Sequence, residues 1–309
     1  MRQTCLNSVY ELAKKDDRIF FVGSDLGSGT LQEFRKEIPD RFFMEGVNEA
    51  HVIGMASGLA LEGKIVYVNT IATFITRRCF EQVALDLCMH NVKVRLIGNG
   101  GGLVYAPLGP THLAFEDIAI LRALPNMTIV APADRDEMRR LMPQTVEWPG
   151  PMYIRLAKGF TDPIVTTDDI PFEIGKSLPM RKGKDALIVT TGITLKLAQT
   201  ASEVLSAGGI EAAILHMPTI KPLDSVAILD LASSVKAIVT VEEHSIVGGL
   251  GAAVAEILAE AGFDTPKRFK RIGIPDTFPD QYGTQDSLMA RYDITAETIT
   301  STLREFLTH

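Results

Sequence analysis

Cysteine, tryptophan, excess positive charge and long apolar runs are all scarce in this chain of 309 residues. The three cysteines, Cys5, Cys79 and Cys88, are odd in number, far apart and without metal-ligand spacing. That excludes a fully paired disulfide framework and reads as free thiols in a reducing compartment. No run approaches the roughly 18 consecutive apolar residues of a membrane span. The start, Met1-Arg2-Gln3-Thr4-Cys5-Leu6, lacks the apolar core of a secretory leader. We therefore expect a cytoplasmic protein with no membrane partner. A net charge of −7 speaks against nucleic acid, whose binding leaves a clustered basic footprint. What the chain does have is 46% hydrophobic residues, enough for ample core. At about 150 residues per domain it suggests two domains.

Short apolar runs alternate with segments of helical periodicity. Ile19 to Gly23, Lys64 to Thr70, Val92 to Ile97, Met127 to Val130 and Met152 to Leu156 read as buried strands. Leu6 to Lys15, a stretch reaching Met89, Phe115 to Leu121 and Asp134 to Val146 read as helices. This alternation predicts an α/β fold with a doubly wound, mainly parallel sheet. The pattern lapses around Pro163, Pro171 and Pro179. It resumes with strands at 186–190, 212–215 and 237–241 and helices at 195–206, 226–233, 251–261 and 296–307. We expect two doubly wound domains, residues 1–163 and 184–309, joined by a linker or edge segment over 164–183.

One stretch stands out for chemistry. Phe42-Phe43-Met44 is a short strand that turns at Gly46 into a helix opening on Asn48-Glu49-Ala50-His51. Glu49 then lies in a first helical turn at a strand end, where ligands of α/β sheets collect. An acid there is also simply a favourable charge at a helix start, worth about 0.3–1 kcal/mol. Two glycine clusters invite a nucleotide reading and do not sustain it. Gly98-Asn99-Gly100-Gly101-Gly102 follows a strand but leads into no helix, whose N-terminus a pyrophosphate requires. Gly248-Gly249-Leu250-Gly251 opens a helix but has Val254 where Gly or Ala is needed, so it reads as a packing turn.

Gly46-Val47-Asn48-Glu49-Ala50, with Gly54-Met55-Ala56-Ser57-Gly58-Leu59-Ala60, resembles the glutamate motif of thiamine-diphosphate enzymes of the transketolase family. Further segments fit in order: Thr73-Phe74 with Arg78 and Glu81-Gln82, Gly109-Pro110-Thr111-His112, Glu116-Asp117, and Ala131-Pro132-Ala133-Asp134. Glu242-Glu243-His244 through Gly251 resembles the C-terminal domain of the same family. Nearly the whole chain is covered. The family's diphosphate and Mg²⁺ domain carries a Gly-Asp-Gly motif, and none occurs in this sequence. The resemblance thus implies the pyrimidine-binding and C-terminal half of a split transketolase. An N-terminal partner subunit would hold most of the thiamine diphosphate and the Mg²⁺, in a two-plus-two heterotetramer. The small-residue helix Gly54 to Ala60 and the second domain are the expected self-dimer contacts.

The resemblance also implies residue roles. Glu49 would hydrogen-bond a ring nitrogen of the aminopyrimidine, with Phe74 stacked on the ring and Asp25 and Arg78 nearby. His112 would line the substrate channel and transfer protons to substrate oxygens. Arg2 falls at a substrate-phosphate arginine, although a residue so near a terminus equally often frays. Ser28 stands beside the position of a substrate-contacting serine. Lys158 replaces a channel arginine, with Arg155 as a nearby substitute. Lysine offers a point charge where arginine grips bidentately. Two further departures remove polar groups: Gly100 replaces a histidine, and Leu108 an aspartate. A site without a hydroxyl-binding group does not reject analogues lacking that hydroxyl. The expected activity is two-carbon ketol transfer from a ketose phosphate to an aldose with a non-standard substrate. The alternatives are a decarboxylating carboligase like deoxyxylulose-phosphate synthase or a 2-oxoacid dehydrogenase beta chain, or a non-catalytic Rossmann-like binding subunit.

Overall fold

Strands as uniformly apolar as Ile65–Ile71 need cover on both faces, which a parallel sheet between helical layers provides. The computed structural model describes residues 1–24, 31–157, 163–166 and 170–308. Its first sheet is built from β1 (Ile19–Gly23), β2 (Phe42–Met44), β3 (Ile65–Ile71), β4 (Val94–Asn99), β5 (Thr128–Val130) and β6 (Met152–Leu156). These run parallel in the order β2-β1-β3-β4-β6-β5. Side chains alternate across the sheet, and the core divides accordingly. Ile65 and Tyr67 of β3 pack with Leu6, Val9, Leu141 and Met142 of the helices Arg2–Ala13 and Arg135–Thr145. Val66 and Val68 face the other way, onto Val52, Ile53 and Ala56 of the helix Glu49–Leu61.

The second sheet contains β7 (Leu178–Arg181), β8 (Ala186–Thr190), β9 (Ala212–His216), β11 (Ala237–Ser245) and β12 (Arg268–Ile274), after β10 (Thr219–Lys221) has left for the first. Its order is β12-β11-β8-β9-β7, parallel except for β7 at the edge. The two doubly wound units are those expected. Among the described residues no helix is long and apolar enough to cross a membrane.

Three features differ from the sequence reading. The expected linker carries the edge strand β7, and the chain just before it is tied down by Asp134, which accepts from Val165 N and Thr166 N, each at 2.8 Å. Burial alone would raise the Asp134 carboxyl. The N–H donors of Glu137, Val165 and Thr166 outweigh it and hold the group below the usual carboxylate range. Second, β10 departs from its own unit and pairs antiparallel with β5, completing the first sheet as a seventh strand. Third, the single helix expected to reach Met89 is broken into Ala72–Thr76, Phe80–Gln82 and a π-helical turn, Val83–Met89. Ser57 Oγ donates to Asp86 O inside that wide turn at 2.7 Å, which ties the broken segment to the helix bearing Glu49.

Candidate active site

Because β1, β3 and β4 are parallel, their C-terminal ends lie side by side, and polar side chains lock them together. Ser24 Oγ donates to Thr70 Oγ1 at 2.7 Å, and Asn99 Nδ2 to Asn69 Oδ1 at 2.6 Å and Thr70 O at 3.0 Å. Glu45 N, after β2, reaches Gly23 O at 2.9 Å. The turn into the next helix needs Gly46, whose φ of +73° lies in the left-handed region. Asn48 then caps that helix by accepting from His51 N at 3.4 Å. With Asn48 as cap, Glu49 is left free to point inward, and it is only 3% exposed.

The broken helix after β3 brings the other expected residues to that carboxylate. Arg78 Nη1 donates to Glu49 Oε2 at 2.9 Å. The same guanidinium lies over the Phe74 ring, with Cζ 3.6 Å from its centroid. On its other side Phe74 meets His112, ring centroids 5.2 Å apart and planes tilted by 59°. His112 Nδ1 is paired with Thr111 Oγ1 at 2.9 Å, and His112 N donates to Gly109 O at 3.0 Å. Glu49, Arg78, Phe74 and His112 therefore form one continuous cluster. Its floor is a desolvated acceptor beside an aromatic face, with a planar nitrogen group held against both. Those are the contacts an aminopyrimidine ring makes through one ring nitrogen and one face, so the residues present fit that group.

Arg2 opens the first helix beside the buried Met1. Asp25, Ser28 and Lys158 lie outside the described residues. Arg155 does not fit the substrate role expected of it. It is 2% exposed and donates from Nε to Asp117 Oδ2 at 2.8 Å, and from Nη2 to Ala114 O at 3.1 Å and Glu243 O at 2.9 Å. Tyr153 OH also donates to Asp117 Oδ2, at 2.7 Å. This is a buried ion pair where the two domains meet, turned away from any substrate.

The glycine clusters serve packing. A Cβ on Gly101 would lie 2.5 Å from Arg155 Cγ, and one on Gly102 2.5 Å from Glu243 Cδ. Glu243 Oε1 in turn accepts from Leu103 N and Gln285 Nε2, both at 2.7 Å. Burial pushes the Glu243 carboxyl up to about 7, against the opposing pull of Arg155. In the second cluster the helix start at Leu250 is already taken: Glu242 accepts from Leu250 N at 2.7 Å and Gly251 N at 2.8 Å. Neither loop offers its N–H groups to a phosphate.

Sequence reasoning missed the strand-end latch of Ser24, Asn69, Thr70 and Asn99. The available signal was a polar residue closing each apolar strand. It also missed the pair of Arg77 with Glu116, at 2.6 Å, one residue from the cluster.

Two doubly wound sheets, with a buried glutamate at a helix start beside an aromatic face, define a pyrimidine-binding unit followed by a second α/β unit. Residues 1–162 match the family model described as "Transketolase, pyrimidine binding domain", and residues 175–299 that described as "Transketolase, C-terminal domain". The chain belongs to the transketolase family, which implies dependence on thiamine diphosphate. It is 38% identical over 307 residues to an apulose-4-phosphate transketolase subunit of Phocaeicola vulgatus, covering 99% of this chain and 97% of that one. It is 36% identical over 306 residues to a 6-deoxy-6-sulfo-D-fructose transketolase subunit of Clostridium sp. strain MSTE9, covering 99% and 94%. A solved structure described as "Split gene transketolase, inactive beta4 tetramer" superposes with a TM-score of 0.89 at 35% identity, covering 99% of this chain and 98% of that one.

Proposed function

We propose that this chain is the pyrimidine-side subunit of a two-chain transketolase. With an N-terminal partner it transfers a two-carbon ketol unit from a ketose donor to an aldose acceptor, shortening the first sugar by two carbons and lengthening the second. The observation that carries this reading is the buried Glu49 carboxylate beside the Phe74 face. When bound, thiamine diphosphate supplies the nucleophilic carbon and stores the two-carbon unit. Glu49 accepts a hydrogen bond from the aminopyrimidine and fixes its proton distribution, in a pocket dry enough for that bond to be strong. Phe74 orients the ring by stacking. His112, against the other edge of Phe74, moves protons to and from substrate oxygens. Asp25, Ser28, Arg2 and Lys158 are assigned to the cofactor and the anionic end of the substrate on the family resemblance.

The partner holds the diphosphate and Mg²⁺. Self-association would use the outer face of the helix Glu49–Leu61, where nothing lies within 4 Å of a Cβ built on Gly58 and Leu61 is 60% exposed. Gly100 and Leu108 leave the channel with less polar grip than a pentose phosphate needs, which supports a deoxygenated, branched or otherwise modified sugar. The relatives named for apulose-4-phosphate and sulfofructose are in keeping with that. The test is reconstitution with the partner chain on ketose donors and, separately, on pyruvate. Ketol transfer without CO₂ release is expected. Glu49→Gln should lower it by about 10²–10⁴-fold, the usual worth of a positioned proton-transfer group. Undiminished transfer by that variant rules the assignment out, and CO₂ release from pyruvate moves the chain to the decarboxylating class.

A further inference from the structure

The Arg78 guanidinium makes both contacts that the aminopyrimidine is assigned. It is planar, it donates to Glu49 Oε2 at 2.9 Å, and it lies flat over Phe74 at 3.6 Å. Two planar groups cannot share that slot. The arginine side chain is 47% exposed, whereas that of Glu49 is only 4% exposed. The cation can therefore swing out to water, and the carboxylate stays behind. A buried carboxylate without a partner is costly, and one held by a charged donor is not. Arg78 sits on the short broken segment between the helices Ala72–Thr76 and Phe80–Gln82, where no regular helix fixes its backbone on both sides.

We infer that Arg78 is a positioning residue that stands in for the cofactor ring. It keeps Glu49 and Phe74 in their working arrangement before loading, and has to be expelled when the aminopyrimidine arrives. The inference rests on the function proposed above and adds a cost of loading to it. The intrinsic affinity is reduced by the fraction of molecules in which Arg78 has left the slot. For a stacked cation that also pairs with a carboxylate, that fraction is on the order of one in ten. Arg78 is thus set against the cofactor at equilibrium, the opposite of an arginine that binds the diphosphate or the substrate.

The test is calorimetric titration of thiamine diphosphate with Mg²⁺ into the complex of this chain with its partner, for wild type, Arg78→Met and Arg78→Lys. Arg78→Met should tighten binding about tenfold, by removing the competing state. Arg78→Lys should fall between, since an ammonium keeps the bond to Glu49 but cannot stack flat. Thermal unfolding supplies a readout that does not depend on turnover. Arg78→Met should melt below wild type without cofactor, and the gap should close when both are saturated. Unchanged or weaker binding by Arg78→Met overturns the inference and makes Arg78 an ordinary ligand, and so does a melting gap that persists at saturation. Those results leave the proposed function standing, because that is tested by Glu49→Gln. Failure of the wild-type complex to bind thiamine diphosphate at all removes both.

Discussion

Replacing Arg155 by methionine separates a structural arginine from a substrate-binding one. The guanidinium is buried, as is Asp117, and they meet at 2.8 Å. At an effective dielectric constant of 20, that separation corresponds to roughly 6 kcal/mol of direct attraction. The substitution also leaves Ala114 O and Glu243 O without the donor they share. Tyr153 OH still serves Asp117, so the carboxylate is not wholly orphaned. The loss should then fall near the lower end of the about 3–5 kcal/mol that breaking a buried pair costs. At about 2–4 °C per kcal/mol for chains of this order, the midpoint should drop on the order of 10 °C. Arg155→Lys should recover only part, because one ammonium cannot replace the two-sided fork. The assay is thermal unfolding by circular dichroism, with KM for a phosphorylated ketose measured on the same preparations. An unchanged midpoint with a raised KM would refute the reasoning and return Arg155 to the substrate channel.

Other outcomes follow from the same interface and from the cofactor pocket. The Glu243 carboxyl is raised from its ordinary value to about 7, so the neutral form favours the fold. That contribution is intact below about pH 4.5 and is lost as pH rises through about 7. Glu243→Gln, fixed in a neutral form, should gain on wild type by up to roughly 3 kcal/mol between about pH 5 and 8; denaturant unfolding at both values checks this, and parallel curves for the two proteins defeat it. Gly102→Ala forces φ of +69° on a residue with a Cβ and drives that carbon into Glu243. It should destabilise by at least about 1–2 kcal/mol on backbone grounds alone, and an unaltered unfolding midpoint would contradict that. Glu49→Gln and Arg78→Met should act in opposite directions on the assembled enzyme, the first lowering transfer and the second tightening cofactor binding.

Much of the architecture was legible because it rests on local periodicity. The runs at β1, β3, β4, β6, β8, β9 and β11 are almost unbroken apolar stretches, as a sheet covered on both faces demands. The elements that escaped notice are short or charged. β12 carries Arg268, Lys270 and Arg271 along an exposed edge, where charge guards against edge-to-edge pairing and hides the strand pattern. β7 and β10 are too short for alternation to register. The break after Thr76 has no glycine or proline to announce it, and its reason is spatial: it delivers Phe74 and Arg78 to Glu49. Motif resemblance brought Glu49, Phe74, Arg78 and His112 into view, and the structure places them in contact. Arg155 was misread because its fate depends on Asp117 and Glu243, partners 38 and 88 positions away that no local pattern reveals.

The excursion of β10 into the neighbouring sheet bears on how this polypeptide can be divided. Cutting between its two family segments, anywhere from 163 to 174, would strip Thr219–Lys221 from β5 and expose an unpaired edge beside the hydrophobic interior. The amino-terminal fragment alone would then be sticky and incomplete, although it contains all four members of the Glu49 cluster. Stitched in this way, the two halves are inherited and folded as one piece, and neither is a module that could be exchanged without the other.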